Sequence, residues 1–320
     1  MTSDHSLSPP AGAASPPERS RTGQGVLFGL AAYGLWGSFP LFFKTLVAVP
    51  PLEILCHRIS WAALFLFLLV CGRRQLGAFL AALRDRKVLL TLCASTLLIA
   101  TNWLTFLYAI ARGEVLMSSL GYFMTPLVST FLGCLILRER LTRWQQVSVA
   151  FALVGVLNLT FSLQRLPWIA LVLAGSFGLY GLLRKLARVE AMVGQSLETM
   201  LLAPFSLAYL VLLTQDGQGH FLTHSSSHNL LLPLSGVVTA IPLLFFVGAA
   251  RRLRLTTIGF LQYITPSLHF LLAVGLYGEA FTTPHLVSFL SIWIALGLYS
   301  MDAIWSNRPA GAYRATGNDR

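Results

Sequence analysis

Residues 106–148, FLYAIARGEVLMSSLGYFMTPLVSTFLGCLILRERLTRWQQVS, return 140 positions later as residues 246–288, FVGAARRLRLTTIGFLQYITPSLHFLLAVGLYGEAFTTPHLVS. Without a gap, 10 of the 43 aligned positions are identical, among them the pairs Pro126/Pro266 and Glu139/Glu279. The composition of so apolar a chain would give about three or four identities by chance. The period is far longer than a solenoid unit. The sequence therefore predicts two related halves.

The composition around this repeat is that of a membrane protein. Of the 320 residues 55% are hydrophobic and 11% are charged, whereas a soluble domain has about 25% charged residues. Ten apolar runs are each long enough to cross about 30 Å of hydrocarbon as a helix, and they occupy residues 25–43, 52–71, 88–110, 115–137, 144–162, 166–183, 195–213, 230–250, 255–277 and 284–305. The runs are continuous, which excludes a β-barrel. We expect an all-α polytopic membrane protein with ten transmembrane helices.

The positions of the basic residues predict the orientation. Nineteen of the 23 Lys and Arg residues fall in the tails and loops on one side of the membrane. Lys44, Arg112 and Arg165 fall on the other side, and Arg58 alone lies inside a span. Cytoplasmic segments carry such an excess, so both termini are expected in the cytoplasm of an inner (plasma) membrane protein. The same asymmetry accounts for the net charge of +11 without any nucleic acid partner.

The spans and the repeat together predict the domain organisation. Each half holds five spans, an odd number, so the second half enters the membrane inverted. We expect a cytoplasmic tail at 1–24, repeats at 25–162 and 163–305, and a second cytoplasmic tail at 306–320. Inverted repeats are typical of secondary transporters, whose substrate site lies between the halves near the middle of the membrane.

Arg58 is the strongest single candidate for a substrate-binding residue. It lies about two helical turns inside its span, and a charge at such depth is costly and normally faces a polar cavity. Glu53 and His57 share one face of the same helix at a spacing of four. In the functional interpretation Arg58 binds a carboxylate or another anion, while Glu53 and His57 carry a proton or orient Arg58. In the structural interpretation Arg58 forms an ion pair with Glu53 or Glu198.

Further candidates are polar or aromatic residues inside other spans. Glu198 is the repeat counterpart of Glu53, but Leu202 and Ala203 replace His57 and Arg58, so the charge is concentrated in the first half. The remaining candidates for a mid-membrane cavity are Trp36, Phe39, Asn102, Trp103, Tyr122, Tyr180, Gln262 and Tyr263. The alternatives for these side chains are helix packing and interfacial anchoring. His269 is interpreted as a core histidine, with a role in proton transfer as the alternative.

Several short motifs carry a resemblance to a known family. They are LWG (35–37), EILCHR (53–58), NWL (102–104), SLGYF (119–123), SFGLYG (176–181), ETM (198–200), RLRL (252–255), GFLQYI (259–264), YGE (277–279) and MDA (301–303). In combination they resemble the drug/metabolite transporter superfamily and, within it, the RarD-like branch of the EamA-type proteins. The resemblance implies a ten-helix inner-membrane transporter. It also brings the family's general label of chloramphenicol permease.

These observations favour a secondary transporter that moves a small metabolite or drug-like molecule by alternating access, with protons as candidate coupling ions. We predict no catalytic residue, metal site or cofactor, because no nucleophile elbow, zinc-protease motif or Walker A loop is present. The expected partners are a small-molecule substrate and the lipid bilayer. The alternatives are a regulatory or scaffold membrane protein and an intramembrane enzyme.

Overall fold

A computed structural model of the chain describes residues 18–137, 141–187, 189–222, 226–253 and 255–306. Within these ranges the chain forms helices and connecting segments and no strand. Most of the two predicted tails lies outside the described residues, as do positions 138–140 with Glu139. The first helix begins at Glu18, inside the segment that was predicted as a tail.

The helices confirm the predicted fold class, and ten helical segments are long and apolar enough to cross a membrane. The first half contains α1 (Glu18–Gly37), α2 (Phe39–Lys44), α3 (Pro51–Gly72), α4 (Leu76–Arg84), α5 (Arg86–Arg112), α6 (Val115–Leu137) and α7 (Arg143–Leu163). The second half contains α8 (Trp168–Ala187), α9 (Ala191–Gln215), α10 (Ser226–Ala250), α11 (Leu255–Leu261), α12 (Ile264–Leu271), a π-helix (Leu272–Leu276) and α13 (Thr283–Ser306). The short α4 is the one helix in this series that is not part of a predicted span.

The turn between α5 and α6 shows how the sequence sets a boundary. Gly113 has a φ of 68°, a left-handed conformation that glycine adopts without the steric penalty of a β-carbon. The backbone nitrogen of Glu114 then donates to the carbonyl of Ala109 at 2.8 Å, and α6 starts one residue later. The third and fourth spans are thus joined by a tight turn.

The packing partners of the helices come in exchangeable pairs. Helix α1, in the first span, packs on α10 and α12, and α8, in the sixth span, packs on α5 and α6. A shift of five spans converts the first set of contacts into the second. An inverted repeat would produce this exchange, although the repeat itself stays a prediction.

A close approach between α3 and α10 positions the candidate site. A β-carbon at Gly236 would come within 2.5 Å of the backbone nitrogen of Ala62, so the two backbones meet where a side chain would not fit. One turn along each helix lie Arg58 on α3 and Thr239 on α10. Because glycine has no side chain, α3 and α10 approach closely enough for Arg58 of the first half to contact Thr239 of the second half.

Two spans are broken near each other. The first span is interrupted at Ser38, between α1 and α2, and the ninth at Gln262 and Tyr263, between α11 and α12. Pro40 and Pro266 follow these breaks, and proline removes a backbone donor from a helix. Such interruptions occur at membrane depth where protein or a cavity covers the freed backbone groups.

Candidate functional site

A cavity of about 460 Å³ lies between the helices. Its aromatic lining comprises Tyr33, Trp36, Phe39, Trp103, Phe106, Tyr122, Phe177, Tyr180 and Phe246. Its polar and charged lining comprises Arg58, Asn102, Arg184, Gln195, Thr239, Gln262, Thr265 and His269. A few polar groups among many ring faces are typical of sites that bind small molecules.

Arg58 is held in this wall by two kinds of contact. Its Nε donates to Oγ1 of Thr239 at 2.7 Å, and the Thr239 hydroxyl donates in turn to the carbonyl of Ser235 at 2.8 Å. Its guanidinium carbon lies 4.3 Å from the ring centroid of Trp103. The rings of Phe39 and Phe43 lie 5.5 and 5.3 Å away. Ring faces attract a guanidinium electrostatically, so the side chain is oriented without an acid.

The charge of Arg58 has no carboxylate partner within the described ranges. Only 2% of the residue is exposed, its Nη1 has no hydrogen-bond partner, and none of the ion pairs among the described residues includes it. Burying an unpaired charge is expensive. The ion pair with Glu53 or Glu198 that the structural interpretation predicts does not form. The wall of the cavity therefore contains a cation without a counter-charge from the described residues.

Asn102 and Tyr122 belong to a hydrogen-bonded network rather than offering free groups. The Asn102 amide donates to the carbonyl of Leu173 at 3.1 Å and to Oγ of Ser176 at 3.0 Å. Its Oδ1 accepts from the Tyr122 hydroxyl at 3.1 Å. The network ties α5, α6 and α8 together, and both residues present the remainder of their side chains to the cavity.

Glu53 and His57 lie away from the cavity lining. The Glu53 carboxylate accepts from the backbone nitrogen of His220 at 2.7 Å and lies 2.8 Å from Nδ1 of the same residue. The His57 ring packs 5.0 Å from the ring of Phe221, and neither of its nitrogens has a hydrogen-bond partner among the described residues. Thr239, rather than Glu53 or His57, orients Arg58. The alternative that Glu53 and His57 carry a proton stays a prediction.

Glu198 sits one layer behind the wall. It accepts from Oγ of Ser95 at 2.6 Å and from the Tyr180 hydroxyl at 3.1 Å, and Nε of Arg184 lies 3.8 Å from its carboxylate. Tyr180 and Arg184 line the cavity. The Arg184 guanidinium occupies the space in which a β-carbon at Gly194 would stand. Glu198 is therefore not part of the lining itself, but it contacts two residues that are.

The broken spans supply the last part of the wall. Trp36 and Gln262 line the cavity, whereas Tyr263 stacks on Phe123, with ring centroids 6.5 Å apart, and is not among the lining residues. The Trp36 carbonyl lacks its usual helical donor because residue 40 is proline. Instead, Nε2 of His269 lies 3.2 Å from that oxygen.

Comparison with known proteins places the chain in a family. The profile of the EamA-like transporter family matches residues 23–161. Protein RarD of Salmonella typhi is 45% identical over 291 residues, which are 91% of this chain and 99% of that protein. The chain belongs to the RarD family of EamA-like transporters. An uncharacterized transporter of Vibrio cholerae is 41% identical over 92% of this chain and 97% of its own length.

This RarD-family chain also shares its fold with a solved crystal structure. That structure is 18% identical, matches 91% of this chain and 99% of its own, and has a TM-score of 0.55. The ten spans, the central cavity and the family together describe a multi-pass membrane transporter.

Five polar cavity residues of this RarD-family transporter, namely Arg184, Gln195, Thr239, Thr265 and His269, were not among the substrate-site candidates of the sequence analysis. Arg184 was counted as a loop cation, but α8 continues to Ala187. Thr239 and Thr265 resemble other small polar residues of apolar helices, and His269 was interpreted as core. The signal for Arg184 is Gly194, whose absent side chain leaves room for a guanidinium.

Proposed function

We propose that the chain is a secondary transporter of small organic anions with an apolar or aromatic body. The observation that carries this proposal is the buried Arg58 guanidinium, which lines the cavity without a carboxylate partner among the described residues. An anionic group on the substrate supplies the missing counter-charge through strong charge-assisted hydrogen bonds. The ring faces around it bury the apolar remainder of the substrate.

We propose that the mechanism is alternating access. Trp36 in the first half and Gln262 in the second half line the same cavity, as a site between the two halves requires. The exchangeable packing pairs and the two broken spans support an inverted-repeat transporter. The match of the family profile to residues 23–161 supports a first repeat that ends near residue 162. The Lys and Arg distribution supports an inner-membrane protein with both termini in the cytoplasm.

The cavity lining extends to helix ends on the side of the termini. It includes Val189, which lies between α8 and α9, and Ala191, the first residue of α9. At the opposite end Lys44 donates to the carbonyl of Ile110 at 3.4 Å and lies over the ring of Tyr277. These contacts support a conformation that is directed toward the cytoplasm.

The proton is the coupling ion that we propose. Glu53 and Glu198 are buried carboxylates with 1% and 2% exposure. Each is stabilised by partners from another element, His220 for Glu53 and Arg184 for Glu198. A buried carboxylate that loses such a partner during a conformational change is stabilised by taking up a proton. Transport that is unchanged when the pH gradient is collapsed contradicts this part of the proposal.

The test of anion binding uses a matched pair of probes, 3-phenylpropionate and its neutral analogue 3-phenylpropanamide. Binding to the purified full chain is measured by calorimetry and by ligand-induced thermal stabilisation. We expect the wild type to bind the carboxylate and not the amide. Arg58→Gln should weaken carboxylate binding at least about tenfold, because hydrogen bonds to charged groups are the strong ones.

The matched control is Arg73→Gln, which removes an exposed arginine just after α3 and should leave binding unchanged. Chloramphenicol carries no negative charge and is included as a neutral competitor. Equal affinity for 3-phenylpropionate and 3-phenylpropanamide, or full binding by Arg58→Gln, contradicts the proposal. Counterflow of radiolabelled 3-phenyllactate into proteoliposomes at pH 7.5 then tests transport itself, with protein-free liposomes as background.

A further inference from the structure

Among the described residues, three residues of the cavity wall each carry a buried polar atom without a hydrogen-bond partner. One is Nη1 of Arg184, whose guanidinium lies beside the carboxylate of Glu198. The other two are Nη1 of Arg58 and Nδ1 of His269, in residues that are 2% and 1% exposed. Buried polar atoms in proteins are nearly always paired. An arginine nitrogen can only donate, so Nη1 of Arg58 calls for an acceptor. The character of Nδ1 depends on the tautomer of the histidine.

The contact of His269 with α1 fixes that tautomer. Its Nε2 lies 3.2 Å from the Trp36 carbonyl oxygen, and because a carbonyl only accepts, Nε2 carries the hydrogen. The ring stacks on Phe106 with centroids 5.3 Å apart and meets the edge of Tyr122 at 5.7 Å. No ion pair of His269 with a carboxylate is found among the described residues, so a charged ring would be costly there. In the neutral ring Nδ1 is an acceptor.

The hydroxyl of Tyr122, which packs against the His269 ring, does not satisfy this acceptor. Tyr122 contacts the His269 ring, but its hydroxyl donates to Oδ1 of Asn102 at 3.1 Å. Asn102 in turn uses its amide hydrogens on Leu173 and Ser176. The network is complete without His269. Nδ1 of His269 therefore has no partner among the described residues, although the residue lines the cavity.

We propose that the substrate is a small carboxylate that also carries an O–H or N–H donor, with the carboxylate on Arg58 and the donor on Nδ1 of His269. This inference rests on the proposed function and narrows its substrate class. The rings of Trp36, Phe106 and Tyr122 lie in the same wall and accommodate an apolar or aromatic body. A site that is built to pair a substrate donor rejects the analogue that lacks it, because its own polar group is then left unpaired.

Two kinds of molecule share this chemistry, hydroxy acids and amino acids. The ammonium of an amino acid gains from the ring faces as well as from the histidine, whereas a hydroxyl gains from the histidine alone. Three probes of similar size separate these cases, namely 3-phenylpropionate without a second donor, 3-phenyllactate with a hydroxyl and phenylalanine with an ammonium. Their dissociation constants for the purified full chain are compared by calorimetry at one pH and one salt concentration.

For the wild type we expect at least one of the two donor-bearing probes to bind about three- to tenfold more tightly than 3-phenylpropionate, as one added hydrogen bond predicts. In His269→Phe, which keeps an aromatic ring on Phe106, the affinities for the donor-bearing probes and for 3-phenylpropionate should become equal. Measurable binding of 3-phenylpropionate also reports that the variant is folded. The matched control is His285→Phe in α13, away from the cavity lining, where the preference should persist.

The outcomes separate this inference from the proposed function. If the wild type binds all three probes with equal affinity, the role of His269 is wrong and the anion site stands. A preference that persists in His269→Phe likewise overturns the inference, because the donor is then recognised elsewhere. If the wild type binds none of the three carboxylates, the proposed function fails and this inference fails with it.

Discussion

The carboxylate of Glu279 caps the helix that begins at Val115. Its two oxygens accept from the backbone nitrogens of Val115 at 2.8 Å and Leu116 at 2.7 Å. An acid at a helix N-terminus satisfies orphan donors and complements the helix dipole. Because α6 belongs to the first half and Glu279 to the second, the cap joins the halves on the side opposite to the termini.

Removing this cap should lower the thermal stability of the purified protein. Glu279→Ala leaves two backbone donors of α6 without their partner, and the loss of an N-terminal cap costs about 1 kcal/mol. We expect a lower Tm than that of Asp216→Ala, which removes an exposed acid after α9 on the same side. Equal Tm values for the two variants would show that the cap contributes nothing.

The same carboxylate should give the stability a pH dependence of known sign. Burial raises the pKa of Glu279 above its ordinary value, and the backbone donors of Leu116 and Val115 and the charge of Lys44 oppose this only in part. A carboxyl whose pKa is higher in the folded state contributes its full stability below the unfolded pKa of about 4.3. The contribution declines as the pH rises through the folded pKa. The Tm of the wild type minus that of Glu279→Gln should therefore fall from pH 4 upward, and a difference that rises instead refutes the assignment.

The hydroxyl of Thr239 should be required to aim Arg58. Thr239→Val conserves the side-chain volume but leaves the buried Nε of Arg58 without an acceptor, which costs about 1–3 kcal/mol. We expect the affinity for 3-phenylpropionate to fall severalfold. Thr101→Val is the matched control, because the exposed Thr101 hydroxyl only donates back to the carbonyl of Leu97. The prediction fails if the two variants bind the probe equally well.

Glu53 and His220 should be energetically coupled. Glu53→Ala and His220→Ala each remove the contact between the Glu53 carboxylate and Nδ1 of His220, so the double variant should lose less Tm than the sum of the single losses. A coupling of about 1 kcal/mol is expected for groups in direct contact. The comparison pair is Arg165 with Glu114, 3.8 Å apart and with Arg165 63% exposed, for which the losses should be nearly additive. Additive losses at Glu53 and His220 would contradict the coupling.

The sequence was sufficient to predict the spans and to locate the Arg58 charge inside one of them. The physical reason is the same in both cases. Hydrocarbon demands continuous apolar helices, so a charge inside one of them is visible without a structure. The partner of that charge was not visible, because Thr239 is 181 positions away and approaches only where Gly236 meets Ala62. The spacing of Glu53 and His57 correctly placed them on one helix face, but the carboxylate takes its partner from a loop.

Arg184 and His269 mark the limits of patterns based on charge and periodicity. The count of basic residues assigns a cation near a span end to a loop, although a helix with one further turn brings Arg184 back to the cavity. A histidine in an apolar helix has the same sequence environment whether it packs in a core or lines a cavity. Whether a histidine lies in a core or lines a cavity depends on the elements packed around it. For His269 these elements include α1 and α5 of the opposite half.

The bond between His269 and the Trp36 carbonyl has a mechanical consequence. Thr265 donates to the carbonyl of Tyr33 at 2.9 Å, and Leu268 fills the space beside Gly37. Helices α1 and α12 are thereby fastened along more than one turn, although they lie at opposite ends of the sequence. While these contacts persist the two helices move together, so the parts that move against each other would each include helices from both halves of the chain.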